Sequence, residues 1–237
     1  MLEAVILLIV LLVGLIILLP FVFKRGKEKA EAEIWGFIFT NGFKHKVETF
    51  KSYNKFVKPN SIVFVGDSIT QDYNVYEYFQ GYQVYNRGIG GDTSKGLLTR
   101  MDESIFNLNP SIVILLIGTN DLAMLETSPE EIANRIIEAV DLIKKRLPQT
   151  KVVVQSVYPV NNHISPQTVN PRTNYDIISI NNIIKKIPDT MYLDIHSHLI
   201  NDKGVLNPDY TIEGLHINNQ GYELITEIIK KEIFSNI

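Results

Sequence analysis

Hydrophobic and polar positions follow two different rules along the chain. Residues 4–23 contain no charged side chain, and at ~1.5 Å per residue a helix of that length spans about 30 Å, one bilayer crossing. Gly14 and Pro20 interrupt the run, which a membrane helix tolerates. Glu3 stands where a cleaved leader would carry a basic region, and Leu19-Pro20-Phe21-Val22-Phe23 closes the run without small residues before a cut site. The pattern therefore predicts an uncleaved N-terminal transmembrane helix and a single-pass location at the cell membrane. Lys24, Arg25, Lys27 and Lys29 follow at once. Basic flanks favour the cytoplasmic side, and the same lysines suit anionic lipid headgroups, so the side on which the rest of the chain lies stays open. Residues 30–60 intersperse Trp35, Phe37, Phe39, Phe43, Tyr53 and Phe56 with charges, the form of an amphipathic helix that packs under a domain or lies in a membrane interface.

From Ser61 onward the pattern changes to short apolar runs alternating with longer segments of helical period, which predicts βαβ units and a mainly parallel sheet. Strands are expected at 61–65, 83–86, 111–117, 151–156 and 191–194. Ser128-Pro129-Glu130-Glu131 supplies an N-cap, a proline at the first helical position and a glutamate at N3, ahead of Ile132, Ile136, Ala139, Val140 and Ile143 at helical spacing. Further helices are expected at 174–187 and 219–233. The expected organisation is an anchor at 1–23, a basic then amphipathic linker at 24–60, and one α/β domain at 61–237, a flavodoxin-like three-layer sandwich on five strands.

Composition narrows the function classes. The 237 residues are 45% hydrophobic and 21% charged, enough for a sizeable core. Lys and Arg number 23 against 26 Asp and Glu, a net charge of -3 that argues against a nucleic-acid partner. No cysteine is present, which removes disulfides, a thiolate nucleophile and cysteine-ligated metal centres.

Candidate chemistry collects just after the strands, where open parallel sheets carry their sites. The first runs into Gly66-Asp67-Ser68-Ile69-Thr70, a tight turn able to present a serine and its N–H at the sheet edge, or simply a polar turn into a helix. The second runs into Asn86-Arg87-Gly88-Ile89-Gly90-Gly91-Asp92-Thr93. Thr93 stands where a dinucleotide fingerprint needs glycine, and there is no phosphate loop, so what remains is backbone N–H groups bared by glycine. After the third, in Gly118-Thr119-Asn120-Asp121, the Asn120 amide can donate to a developing oxyanion. In Thr211-Ile212-Glu213-Gly214-Leu215-His216-Ile217-Asn218, a carboxylate three residues before an imidazole can fix its tautomer, although His216 alone also reads as a satisfied surface histidine. Asp194, His196 and His198 would share a face only if the fifth strand continued, and no further ligand follows, so no metal site is assigned. Asp67 and Asp121 suit loop-fixing hydrogen bonds. Tyr158-Pro159-Val160-Asn161 reads equally as a pocket edge and as a turn.

These four motifs, in this order and with Gly221-Tyr222 following, resemble the SGNH or GDSL-type serine hydrolases, and within them platelet-activating factor acetylhydrolase catalytic subunits and bacterial lysophospholipase-like esterases. The resemblance spans nearly all of residues 61–233. It implies the SGNH hydrolase fold and an esterase that needs no cofactor. Ser68 is then the nucleophile, His216 the base and then acid, and the Ser68 N–H, Gly91 and Asn120 the oxyanion donors, with Asp67, Asp92 and Tyr158 at the substrate. The family's usual aspartate is replaced by Glu213, whose extra methylene alters its reach. The implied substrates are acetyl or other short-chain esters of a lipid or carbohydrate, or a lysophospholipid, with the N-terminal helix contacting membrane lipids. An O-acyltransferase using the same triad and a non-catalytic binding module are the alternatives.

Overall fold

The computed structural model describes residues 2–125 and 127–236; side chains at 2–5, 7–13, 32, 35 and 236 lie outside the described residues, among them Trp35. The chain divides into two compact units, Met1–Lys44 and His45–Ile237.

The first unit is helical throughout its described length. It forms most of α1 (Leu2–Tyr53), a helix that passes through Pro20 without a break. Among the described residues no helix is long and apolar enough to cross a membrane. The expected transmembrane helix, the single-pass location and the contact with membrane lipids are corrected accordingly. Residues 14–23 are the described consecutive apolar side chains of this helix. Beyond them α1 is densely charged, with Lys24–Glu28, Lys27–Glu31 and Lys29–Glu33 pairs at i,i+4 spacing. The rest of the expected span falls on side chains outside the described residues. Farther along, Phe37 is largely exposed.

The second unit is built on five strands: β1 (Ile62–Gly66), β2 (Val84–Gly88), β3 (Ile112–Leu116), β4 (Lys151–Gln155) and β5 (Met191–Leu193). Their order is β2-β1-β3-β4-β5, and every pairing is parallel. Register brings Gly66 level with Gly88 on one side and Leu116 on the other, so the first three strands finish at one height. Residues after these ends necessarily emerge side by side.

Alternation along the strands sends neighbouring residues to opposite faces. Val63, Val65, Val113, Leu115, Val152 and Val154 face one core, and Ile62, Phe64, Ile112, Ile114, Leu116 and Val153 face the other. The first core is covered by α3 (Pro129–Arg146) and α4 (Asn174–Ile184) through Ile132, Ile136, Ile177 and Ile180. The second is covered by α5 (Asn219–Glu232) through Tyr222, Ile225 and Ile229. The result is the expected three-layer α/β sandwich. Ser128 caps α3 in the reciprocal arrangement its sequence predicts: the Glu131 N–H donates to the Ser128 hydroxyl, and the Glu131 carboxylate accepts from the Ser128 N–H. The fifth strand stops at Leu193 and residues His196–Leu199 turn into a short helix, so Asp194, His196 and His198 do not alternate along one strand.

Candidate active site

Gly66, the last residue of β1, is closely enclosed: a Cβ there would meet the Leu116 carbonyl oxygen at 2.2 Å and the Thr70 hydroxyl at 2.3 Å. Only glycine lets the chain turn this tightly beside β3. The turn leads into a short helix, α2 (Ser68–Asp72), capped by the Asp67 carboxylate, which accepts from the Ile69 N–H at 3.0 Å. Ser68 therefore opens a helix and is partly exposed at the sheet edge. Tyr222 of α5 donates from its hydroxyl to the Ile69 carbonyl at 2.7 Å, tying the serine's helix to the last helix of the fold.

His216 reaches Ser68 from the opposite end of the chain. The Ser68 hydroxyl lies 3.0 Å from His216 Nε2, and His216 Nδ1 lies 2.5 Å from Glu213 Oε1. A carboxylate only accepts, so the ring proton sits on Nδ1 and Nε2 is left to accept from the serine. The loop holding the imidazole is a tight bridge. The Ile212 N–H and the Thr211 hydroxyl both donate to the His216 carbonyl, and the Thr211 hydroxyl also accepts from the Gly214 N–H. Gly214 has φ +96°, and a Cβ on it would stand 2.3 Å from the Asn161 carbonyl oxygen, so this turn requires glycine. The Asn161 N–H in turn donates to the Gly214 carbonyl at 2.8 Å, joining the loop after β4 to the histidine loop.

The loops after β2 and β3 are laced to the serine turn. The Ile89 N–H donates to the Gly66 carbonyl at 3.0 Å, and Asn120 Nδ2 donates to the Asp92 carbonyl at 3.0 Å. Gly91, at φ +74°, lies between these two ties. Asn120 is buried, and its Oδ1 accepts from Arg172 Nη2 at 2.9 Å. Beneath the loops sits Arg100, fully buried. It donates to the Asp92 carboxylate at 2.7 Å and to the carbonyls of Arg87 and Gly66, each at 2.9 Å, so one guanidinium holds the ends of β1 and β2 together. Ser94 donates from both its N–H and its hydroxyl to the Asp121 carboxylate.

The sequence-derived site residues thus divide. Ser68, His216 and Glu213 form one hydrogen-bonded line, with Asn120 and the Gly91 loop tied to the same sheet edge. Asp67, Asp92 and Tyr158, expected at the substrate, are all buried: Asp67 caps its helix, Asp92 pairs with Arg100, and the Tyr158 hydroxyl donates to Gln155. Burial pushes the Asp67 carboxyl up to about 7, against the opposing Ile69 hydrogen bond. Arg100 and Arg172 carry no local sequence signal, because their partners lie in other elements; the Arg172–Asn120 contact spans 52 residues.

A family model, the GDSL-like lipase/acylhydrolase family, matches residues 64–224, which include both ends of the serine-to-glutamate line. The chain belongs to this family. Platelet-activating factor acetylhydrolase IB subunit alpha2 of Rattus norvegicus is 29% identical over 184 residues, 73% of this chain and 78% of the relative. Among solved structures, one from Streptococcus pneumonia named for platelet activating factor aligns with a TM-score of 0.80 at 25% identity, covering 86% of this chain and 98% of its own. A GDSL-like lipase from Bacteroides thetaiotaomicron aligns with a TM-score of 0.72 at 24% identity, covering 81% and 98%, a likeness of fold. The GDSL-like family member described here is accordingly a serine hydrolase that acts on carboxylic esters.

Proposed function

We propose that this family member hydrolyses short-chain acyl esters, acetyl esters foremost, of a lipid or carbohydrate alcohol through an acyl-enzyme intermediate. The observation that carries the reading is the unbroken line from Ser68 Oγ through the His216 ring to Glu213, at 3.0 and 2.5 Å. Ser68 Oγ attacks the ester carbonyl while Nε2 of His216 takes its proton. Negative charge moves to the carbonyl oxygen, which accepts from the Ser68 N–H, the Gly91 N–H and Asn120 Nδ2. Collapse expels the alcohol, which leaves with the proton held on Nε2. Water then repeats the sequence against the acyl group, returning the acid and a free serine. Glu213 keeps the Nδ1 proton in place and stabilises the imidazolium formed in each half.

One observation supports a small acyl group: the curated relatives are named acetylhydrolases. We assign Asp67 and Asp92 to support of the loops. The intact Ser68–His216–Glu213 line counts against a non-catalytic module.

The test is labelling with a fluorophosphonate, followed by turnover of p-nitrophenyl esters of increasing chain length. Ser68→Ala is expected to lose the label and to slow turnover by on the order of 10⁴ to 10⁶. Acetyl and propionyl esters are expected to exceed octanoyl esters in kcat/KM. Free acid should appear without any added acceptor alcohol, unlike the behaviour of an acyltransferase. Labelling or wild-type turnover by Ser68→Ala would overturn the assignment.

A further inference from the structure

The Asn120 amide donates to an oxyanion only if its nitrogen, and not its oxygen, faces the reacting centre. The two ends of an amide are nearly the same size, so burial alone does not choose between them. In this protein the choice is made by a residue outside the four family motifs. Arg172, 4% exposed, donates from Nη2 to Asn120 Oδ1 at 2.9 Å and from Nε to the Thr119 carbonyl at 2.9 Å. Its remaining donor, Nη1, reaches the carbonyls of Thr168 and Val169 at 3.0 and 3.2 Å. A guanidinium has no acceptor, so only the oxygen end of Asn120 can face it. At the other end of the amide, the Asp92 carbonyl can only accept and therefore takes a proton from Nδ2, at 3.0 Å. Both neighbours enforce one orientation, and Nδ2 keeps its second proton for a ligand.

We propose that Arg172 is a positioning residue that sets the amide orientation of Asn120 and polarises it toward the oxyanion. The described hydrogen bonds of Arg172 all end on neutral oxygens, three main-chain carbonyls and one amide. Those bonds set its positive charge against peptide and amide dipoles, the same charge also acting on the buried Asp67 carboxyl, and the Asn120 dipole that it aligns presents its positive end at Nδ2. Charge development on an ester carbonyl gains from that alignment, whereas the neutral ground-state ester gains little, so the effect belongs in kcat rather than KM.

The inference rests on the proposed roles of Ser68 and Asn120, and a double-mutant cycle on the full chain separates it from them. Asn120→Ala should lower kcat by about 10² to 10³. Arg172→Gln should lower kcat by about 10-fold or more with KM changed less than twofold. In an Asn120→Ala background, Arg172→Gln should cost less than a further twofold, because its target is gone. Arg172→Lys keeps the charge but loses the planar fork, and should fall between wild type and Arg172→Gln, again without effect in the Asn120→Ala background. If Arg172→Gln does not fold, Arg172→Lys carries the same cycle. Losses that multiply in the double variant, or wild-type kcat in a folded single variant, would overturn the inference while Ser68→Ala remained inactive. Activity in Ser68→Ala would instead overturn the underlying site.

Discussion

His216 gives two protons to one oxygen of Glu213: Nδ1 lies 2.5 Å and the His216 main-chain N–H lies 3.1 Å from Oε1. The carboxylate thus closes a ring that contains both the side chain and the backbone of the same histidine. In the proposed triad this is how Glu213 would take the place of an aspartate, with its extra methylene taken up in folding back over a three-residue turn. The ring orientation and the turn are therefore one structural decision.

That relationship predicts an ordered mutant series. Glu213→Gln can still accept from one of the two donors but carries no charge to stabilise imidazolium, and should lower kcat by on the order of 10³ to 10⁴. Glu213→Asp retains the charge but reaches less far, and should lose about 10-fold. Steady-state kinetics on an acetyl ester would check the order. If Glu213→Gln matched wild type, another group would be orienting the imidazole.

The reach of sequence reasoning follows the range of the interactions. Strands β1 to β5 stand within two residues of their expected bounds, most plainly β1 and β3, where burial on both faces writes a local apolar run, as in Ile112–Leu116. Ser68, Asn120 and His216 were legible because each sits in its own short motif at an element boundary. Arg100 and Arg172 were not, because a buried guanidinium looks like any surface arginine until its remote partners are known. The resemblance places Asp67, Asp92 and Tyr158 at the substrate, and in the fold their polar atoms meet the Ile69 N–H, Arg100 and Gln155. The N-terminal apolar run read as a separate segment. In the fold it is the beginning of a helix that continues through 52 residues into charged sequence, a continuity that no local window reports.

The Asp92–Arg100 pair makes a prediction about stability. Both side chains are essentially excluded from solvent, at 1% and 0%. Asp92→Ala leaves the guanidinium buried without its countercharge, which typically costs about 3 to 5 kcal/mol. The urea midpoint should fall correspondingly. Because Arg100 also donates to the Gly66 and Arg87 carbonyls, esterase activity should fall at temperatures where the variant is still folded. A loss below about 1 kcal/mol would mean that water reaches the pair.

Asn120 allows a sharper test of chemistry against packing. Asn120→Asp preserves shape, but its carboxylate would meet the Asp92 carbonyl where Nδ2 now donates. It would also place negative charge where the oxyanion forms. It should therefore be at least as inactive as Asn120→Ala, a loss of about 10² to 10³ in kcat. Partial activity at low pH, where the new carboxyl is protonated, should not restore the wild-type rate, because His216 must be neutral to act as base. Activity of Asn120→Asp above that of Asn120→Ala at neutral pH would remove Asn120 from the oxyanion site.

Asp67 should leave a signature in the dependence of stability on pH. Its Oδ1 accepts from the Ile69 N–H, Oδ2 has no hydrogen-bond partner among the described residues, and burial raises its pKa to about 7. The unfolded chain releases this proton near pH 4. Between about pH 4 and 7 the folded state consequently binds more protons than the unfolded state, so this group's contribution to stability falls as pH rises through that window. A shift of about three units sets a ceiling of roughly 4 kcal/mol on the change. Asp67→Asn keeps an acceptor for the Ile69 N–H and abolishes the titration. Urea unfolding of both proteins from pH 4 to pH 8 should show the stability difference moving toward the asparagine variant by about 1 to 4 kcal/mol as pH rises, with most of the change complete by pH 7. Parallel stability curves across that range would mean that Asp67 is ionised throughout and that its burial is compensated.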